Sequence, residues 1–122
     1  MVTKQQIAAV IRQVQHEIRW KPGSAARHLR TRKRRGHLSA DATLDDYHAI
    51  IQDVLTTDEA AVYLFSYDEA YPTVVTLLHK RHWLVMFSLT GVMETAFIVE
   101  KPHSYLNKSN VEYMGTLQEV LT

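Results

Sequence analysis

The sequence contains no cysteine among its 122 residues. Disulfide bonds, zinc sites built on thiolates and thiol nucleophiles are therefore all excluded. Glycine is also scarce, and its four residues are scattered, so the chain has no glycine-rich loop of the kind that cradles phosphate groups. No apolar run approaches the roughly 20 residues that a membrane-spanning helix needs. The first residues lack the apolar stretch of a signal peptide, and a cytoplasmic location is the simplest expectation.

What is present has the composition of an ordinary folded domain. Hydrophobic residues make up 46% of the chain and charged residues 22%, and both fractions are typical of globular proteins. A chain of this length suits one domain with one hydrophobic core. We therefore expect a single domain over residues 1–122.

Basic and acidic residues are divided between two parts of the chain, so each part nearly lacks charge of one sign. Residues 1–37 contain ten Lys and Arg against one acid, Glu17, whereas residues 38–122 contain four against twelve Asp and Glu. The basic charge is densest from Arg27 to His37. Nucleic acid is the leading candidate partner, because each phosphate that Lys or Arg neutralises releases a condensed counterion. A solvated loop or an import-like signal is the alternative explanation of this run.

An amphipathic pattern opens the chain. Apolar residues recur at helical spacing from Ile7 to Ile18, which predicts a helix within residues 1–22 that Pro22-Gly23 ends. Residues 23–42 are basic and poor in aliphatic side chains. We therefore expect an exposed basic loop there, with room for a short helix inside it.

The rest of the chain changes from helix to strand. Residues 43–57 carry a second amphipathic pattern, and Thr43 is placed to cap the predicted helix. Aromatic and β-branched residues then predict four strands within residues 60–100. Their connections are too short for parallel crossovers, so they should form a sequential antiparallel meander. The tail over residues 101–122 is expected to be a short helix or partly disordered. The sequence thus predicts an α+β fold of two N-terminal helices packed on a four-stranded antiparallel β-meander.

The seven histidines show no pattern typical of a metal site. No pair has the i,i+4 spacing of helical zinc ligands, so we expect neither a metal nor a cofactor.

RNA cleavage without a metal needs few groups from the protein, because the ribose 2′-hydroxyl itself is the nucleophile. The protein then supplies proton transfer, which suits histidine, and cations that stabilise the phosphorane. His28, His37 and Lys80 are the residue types that this chemistry needs.

The order of these elements resembles that of the barnase–EndoU–colicin–RelE superfamily of small metal-independent endoribonucleases. It is especially similar to the branch found in bacterial toxins and phage-associated proteins, over roughly residues 27–106. The resemblance rests on four stretches in this order: Arg27 to His37, Leu44-Asp45-Asp46-Tyr47 at a helix start, His79-Lys80 at a strand end, and Gly91 to Phe97 in the last strand.

The resemblance implies an endoribonuclease that cleaves RNA by attack of the 2′-hydroxyl on the adjacent phosphate. Carried over by position, it implicates either His28 or His37, together with Lys80 and Thr95, as catalytic residues. It also implies that the basic segment binds RNA through Arg27, Arg30, Arg32, Lys33, Arg34 and Arg35. A toxin-like protein of this kind would have an antitoxin or immunity protein as a partner. Tyr47, in contrast, is expected to be a core residue.

Two other functions fit parts of the sequence. Arg30 or Arg32 followed by His37 resembles a motif of the all-helical HEPN-type ribonuclease toxins, although the strand-rich half argues against that fold. A different class is a non-catalytic nucleic-acid- or protein-binding module, in which the Arg27–Arg35 segment contacts phosphates without a reaction. An enzyme needs His, Lys and Thr side chains in one cleft, whereas a binding module needs only a basic face.

Overall fold

The computed structural model describes residues 1–122 and contains five helices and one five-stranded antiparallel sheet. The helices are α1 (Lys4–His16), α2 (Ser24–Arg34), α3 (Leu44–Leu55), α4 (Pro102–Leu106) and α5 (Leu117–Leu121). The strands are β1 (Ala61–Ser66), β2 (Ala70–Leu78), β3 (Arg81–Phe87), β4 (Met93–Ile98) and β5 (Val111–Thr116). The predicted α+β class is confirmed. The structure has more helices and more strands than the two helices and four strands that were predicted.

The strands lie in the order β4-β3-β2-β1-β5. Each of the first four pairs with its sequence neighbour in antiparallel fashion, which confirms the meander predicted for residues 60–100. β5 joins the other side of β1, so the tail over residues 101–122 is a helix, a strand and a further helix. The tail prediction missed this strand because only Met114 of its six residues is buried, which leaves almost no alternation in the sequence.

Helices cover one face of the sheet. α3 packs directly on β2 and β3, while α1 packs on α3 and α5. The main core lies between these layers and includes the fully buried Ile11 of α1 and Ile51 of α3. Tyr47 is also fully buried there, which confirms its expected core position. A smaller cluster lies on the opposite face, where Tyr105 and Leu106 of α4 cover it.

α1 is shorter than the helix predicted within residues 1–22. Thr3 caps it in a reciprocal pair with Gln6, and it ends at His16. The chain after it is extended, and the Arg19 carbonyl accepts a 2.7 Å hydrogen bond from the backbone N–H of Met93. The longest of the helices thus has 13 residues, and none has the length and apolar character that a bilayer span requires.

The segment predicted as a basic loop over residues 23–42, with room for a short helix, contains the 11-residue helix α2. Arg, Lys, Ala and Leu are all good helix formers, and the cations from Arg32 to Arg34 in the last turn suit the helix dipole. The inward side of α2 carries polar side chains, including His28 and Arg32, rather than an aliphatic stripe. A prediction based on aliphatic periodicity therefore misses the helix.

The C-terminus of α2 is closed by a glycine in the left-handed region. Gly36 has φ of +73°, and its N–H donates to the Lys33 carbonyl at 3.1 Å. The N–H of His37 donates to the Arg32 carbonyl at 2.9 Å. These two bonds form a Schellman motif, which folds His37 back towards Arg32.

The five-stranded sheet contradicts the all-helical HEPN-type alternative.

Candidate active site

A cleft lies where α2 runs beside the free edge of β4. α2 packs against α3 and β4, and β4 is an end strand of the sheet. The cleft has a volume of about 560 Å³. Its lining comes from α2, the turn after it and the β4 region: Arg32, Arg35, His37, Thr95, Phe97, Ile98 and Glu100. Two predicted RNA-binding arginines therefore share this cleft with two predicted catalytic residues.

Side chains cover the backbone edge of β4 in this region. The Tyr47 hydroxyl of α3 donates to the Ala96 carbonyl. The N–H of Ile98 donates to Nδ1 of His37 at 3.2 Å. An open edge strand exposes unpaired backbone groups that invite pairing with another chain. Tyr47 and His37 therefore satisfy this edge and hold α2 and α3 against it.

His37 is held through one ring nitrogen. Its Nδ1 accepts hydrogen bonds from the Ile98 N–H and from Nη1 of Arg32, the latter at 2.9 Å. Because both partners are donors, Nδ1 carries the lone pair and the proton of the neutral ring lies on Nε2. Burial, followed by the charges of Arg32 and Arg81, lowers the pKa of His37 to about 4. At neutral pH this ring is uncharged and its basic nitrogen is occupied.

His28 lies one turn before Arg32 on α2. Its Nδ1 is 3.5 Å from Oγ1 of Thr95, a contact between residues 67 positions apart. This distance is at the outer limit of a hydrogen bond, and catalytic contacts often tighten when substrate binds. Burial, followed by the charges of Arg27 and Arg32, lowers the pKa of His28. The ring is therefore neutral at neutral pH and able to accept a proton.

Trp20 packs against His28. Its ring centroid lies 5.2 Å from that of His28 and 5.8 Å from that of Tyr47. The indole Nε1–H donates to Nε2 of His48 at 2.9 Å, and burial lowers the pKa of His48, which keeps this acceptor neutral. Sequence reasoning missed this role, because a tryptophan beyond the end of a helix carries no signal that distinguishes a site support from a core residue.

Arg32 is a nearly buried cation without an anionic partner. Its side chain is 8% exposed, its guanidinium lies 5.5 Å from the centroid of the Phe97 ring, and its Nε has no hydrogen-bond partner. The one salt bridge in the protein joins Arg81 and Glu100 at 3.4 Å. A buried charge without a counterion is costly. An anion bound in the cleft would neutralise it.

Lys80 and Arg81 are neighbours in sequence but differ in their contacts near the cleft. Arg81 borders the cleft through its contacts, because its Nη1 donates to the Gly36 carbonyl at 3.3 Å and its Nη2 contacts Glu100, which lines the cleft. Lys80 is exposed in the two-residue turn between β2 and β3, where it and His79 have positive φ values of 67° and 52°. Lys80, Arg81 and His28 are all absent from the lining of the cleft. His28 and Arg81 contact the lining residues Thr95 and Glu100, whereas Lys80 makes no ion pair. Sequence reasoning chose the residue of the turn and missed Arg81.

Three of the predicted RNA-binding residues lie on the outer side of α2. Arg27, Arg30 and Arg34 are exposed, and their spacing of three and four places them on one side of the helix. Lys33 is partly exposed, and Arg35 lies at the rim of the cleft. This basic face is open to a polyanion.

The structure contains no group of three or more His, Asp and Glu side chains that could hold a metal ion. Comparisons with protein-family models, with curated proteins and with solved structures gave no match to this chain.

Proposed function

We propose that the protein is a metal-independent endoribonuclease that acts in the cleft between α2 and β4. The observation that carries the proposal is Arg32, a nearly buried guanidinium with no carboxylate partner, one helical turn from the neutral His28. A phosphodiester in the cleft supplies the missing negative charge. RNA also brings its own nucleophile, so a base and positive charge at one place are sufficient for catalysis.

His28 is the general base in this proposal. With Nδ1–H donating to Oγ1 of Thr95, Nε2 carries the lone pair and takes the proton of the 2′-hydroxyl. The 2′-oxygen forms a bond to the adjacent phosphorus, and the bond from phosphorus to the 5′-oxygen breaks. The products are a 2′,3′-cyclic phosphate and a 5′-hydroxyl, whose oxygen takes its proton from solvent.

The arginines stabilise the charge that develops on the phosphorane. Arg32 is preorganised for this role, because its Nη1 is held by His37 and its guanidinium faces the Phe97 ring. Charge stabilisation is strongest where water is excluded. We assign His37 to positioning Arg32 rather than to proton transfer, because its Nδ1, which carries the lone pair of the neutral ring, is occupied by the Ile98 N–H and by Arg32. Lys80 is not part of the proposed mechanism.

The biological setting belongs to the same proposal. A toxin-like ribonuclease acts in the cytoplasm, where its RNA substrates are, and it has to be restrained by an antitoxin or immunity protein. An acidic partner surface would complement the exposed Arg27, Arg30 and Arg34. That partner would block the same face that RNA approaches.

Incubation with total RNA in the presence of EDTA tests the proposal. We expect the wild type to cleave and to leave 2′,3′-cyclic phosphate ends. His28→Ala should reduce the rate by about 10²–10⁴-fold, the usual effect of losing a general base. His16→Ala, which changes an exposed histidine at the end of α1, is the matched control and should cleave like wild type. Cleavage that stops in EDTA, or a fully active His28→Ala variant, contradicts the mechanism.

A second candidate is a non-catalytic nucleic-acid-binding module. It is favoured by the ordered basic face of α2, which presents Arg27, Arg30 and Arg34 and needs no histidine. This candidate predicts RNA binding without cleavage under any condition and no effect of His28→Ala on affinity. The EDTA experiment and a binding measurement therefore separate the two candidates.

A further inference from the structure

A second groove continues from the active-site cleft across the end of β4. Its volume is about 390 Å³. It shares Phe97, Ile98 and Glu100 with the cleft. Beyond these residues it is lined by Val99, Lys101, Ser104, Tyr105 and Lys108. A chain molecule bound in the cleft can therefore extend into the groove without leaving the surface.

The groove presents two aromatic rings. Phe97 and Tyr105 meet edge to face, with their centroids 5.9 Å apart. Tyr105 is supported from behind by Phe65, at 5.9 Å between centroids. Nζ of the exposed Lys108 lies 4.7 Å from the centroid of the Tyr105 ring. A face of this ring is thus within reach of solvent groups and is fixed in place by packing.

The groove also concentrates positive charge in the acidic part of the chain. Residues 38–122 contain only four cations, Lys80, Arg81, Lys101 and Lys108. Two of these four line the groove together with Glu100, and Arg81 contacts Glu100. Flat rings beside lysines match the two parts of a nucleotide, because rings stack on bases and lysines contact phosphates.

We propose that this groove is a subsite for single-stranded RNA, in which a nucleotide next to the cleaved bond stacks its base on Tyr105. The stacked base displaces the Lys108 ammonium from the ring onto the neighbouring phosphate, where Lys101 also lies. Bases in a duplex are already paired and stacked, so a duplex cannot supply this contact. The inference rests on the proposed function, since it specifies the substrate of the same site.

Binding of an oligonucleotide that cannot be cleaved tests the subsite. A fluorescently labelled 2′-O-methyl RNA has no free 2′-hydroxyl, and fluorescence anisotropy then reports affinity without chemistry. We expect the single strand to bind more tightly than a duplex of the same sequence. Tyr105→Ala should weaken single-strand binding on the order of tenfold, whereas Tyr105→Phe, which keeps the ring, should bind like wild type.

Lys108→Ala is a second variant that does not depend on packing, because Lys108 is exposed. It should weaken binding and reduce the slope of affinity against salt by about one phosphate contact. Lys80→Ala, another exposed lysine but outside the groove, should change neither. If Tyr105→Ala does not fold, the binding of Lys108→Ala alone tests the subsite.

The subsite is wrong if folded Tyr105→Ala or Lys108→Ala binds the single strand like wild type, or if the duplex binds equally well. These outcomes are separate from those of the cleavage assay. A protein that binds through Tyr105 but never cleaves RNA overturns the ribonuclease proposal and leaves the subsite standing. A protein that cleaves RNA and binds independently of Tyr105 and Lys108 overturns the subsite alone.

Discussion

His28 and His37 come from the same basic segment, yet their surroundings suit them to different roles. Nδ1 of His37 accepts two hydrogen bonds, whereas Nδ1 of His28 faces the Thr95 hydroxyl. Both pKa values are lowered, chiefly by burial. A sequence treats two histidines of one segment as equivalent. Their hydrogen-bond partners leave His28 as the residue suited to accept a proton in our proposal.

The rate of RNA cleavage should rise with pH along a single limb and level off by neutral pH. The base has to be neutral, and burial with Arg27 and Arg32 lowers the pKa of His28 below its ordinary value of 6.5. His37, with a pKa of about 4, adds no second limb near neutrality. Initial rates in EDTA across the acidic and neutral range measure the profile.

The control for this profile is Arg27→Gln. It removes one of the charges that lower the pKa of His28, so the limb should move to higher pH. A bell-shaped profile centred near neutrality, or a limb that does not move in Arg27→Gln, would count against His28 as the base.

The free energy of unfolding should decrease as the pH falls from 6.5 towards 4, with His37 contributing to the decrease. The unfolded ring has the ordinary pKa of 6.5, while the folded ring has a pKa of about 4. Between these values the unfolded chain binds the additional proton, so the contribution is fully present above pH 6.5 and is lost as the pH falls through the folded pKa. Urea titrations at several pH values measure this decrease.

His37→Asn is the informative variant. Its Oδ1 can accept from the Ile98 N–H and from Arg32 in place of Nδ1, but it does not titrate. We expect a flatter dependence of the unfolding free energy on pH than in wild type. His28 and His48 also have lowered pKa values, so a residual slope is expected. Equal slopes in the variant and wild type would show that His37 is not buried in its neutral form.

Among the secondary-structure elements, α2 builds the cleft, and sequence reasoning left room for a short helix there without giving its bounds. Helical spacing places His28 and Arg32 one turn apart and directs both towards β4. The Schellman motif then returns His37 to Arg32. The sequence did carry a signal for this helix, namely a run of strong helix formers followed by Gly36.

Replacing Gly36 with Ala should lower the free energy of unfolding by about 1–2 kcal/mol, the usual cost of a left-handed L-residue. Its φ is +73°, and an added Cβ would have no atom within 4 Å, so the effect comes from the backbone alone. The same turn positions His37 and therefore Arg32, so cleavage should slow as well. Urea unfolding and initial rates measure the two effects.

Gly23→Ala is the matched control for the turn. Gly23 also has a positive φ, +76°, and open space around the Cβ position, but it lies at the other end of α2. We expect a similar loss of stability with little change in cleavage rate. Equal slowing in both variants would mean that the effect on cleavage reflects general destabilisation.

Across the protein as a whole, the basic and acidic parts of the sequence form different regions of the fold. Residues 1–37 form α1, α2 and the turn that leads to His37, whereas the acidic remainder forms α3 and the sheet. The cleft lies at the junction between them, with Arg32 on one side and Glu100 on the other. A polyanion is therefore attracted most strongly to the α2 side.

Charge reversal of Arg27, Arg30 and Arg34 should weaken binding to every RNA by about the same factor. These side chains are exposed and would contact phosphates rather than bases. The slope of log affinity against log salt should fall by roughly 0.7 for each phosphate of a single strand that the variant no longer neutralises. Filter binding of several sequences over a salt series measures both effects.

A control with the same change in charge reverses Lys4, Lys21 and Lys80, three exposed cations outside α2. It should weaken binding much less. If both triple variants bind RNA equally weakly, RNA responds to net charge and the face of α2 is not a specific contact.

Features that depend on local periodicity and local hydrogen bonding could be predicted from the amino-acid sequence. The α+β class, the meander of β1 to β4 and the cap at Thr43 follow from neighbouring residues. The presence of basic residues and histidines in one segment could also be seen in the sequence. These features need no knowledge of the tertiary structure, because period and turn length decide them.

Which of these residues meet could be seen only in the folded protein. Thr95 reaches His28 because α2 packs beside the end strand of the sheet. Arg81, rather than Lys80, contacts Gly36 and Glu100 beside the cleft, because the two residues differ in position relative to a tight turn. Contacts of this kind depend on how distant elements pack, and a single sequence carries no record of that packing.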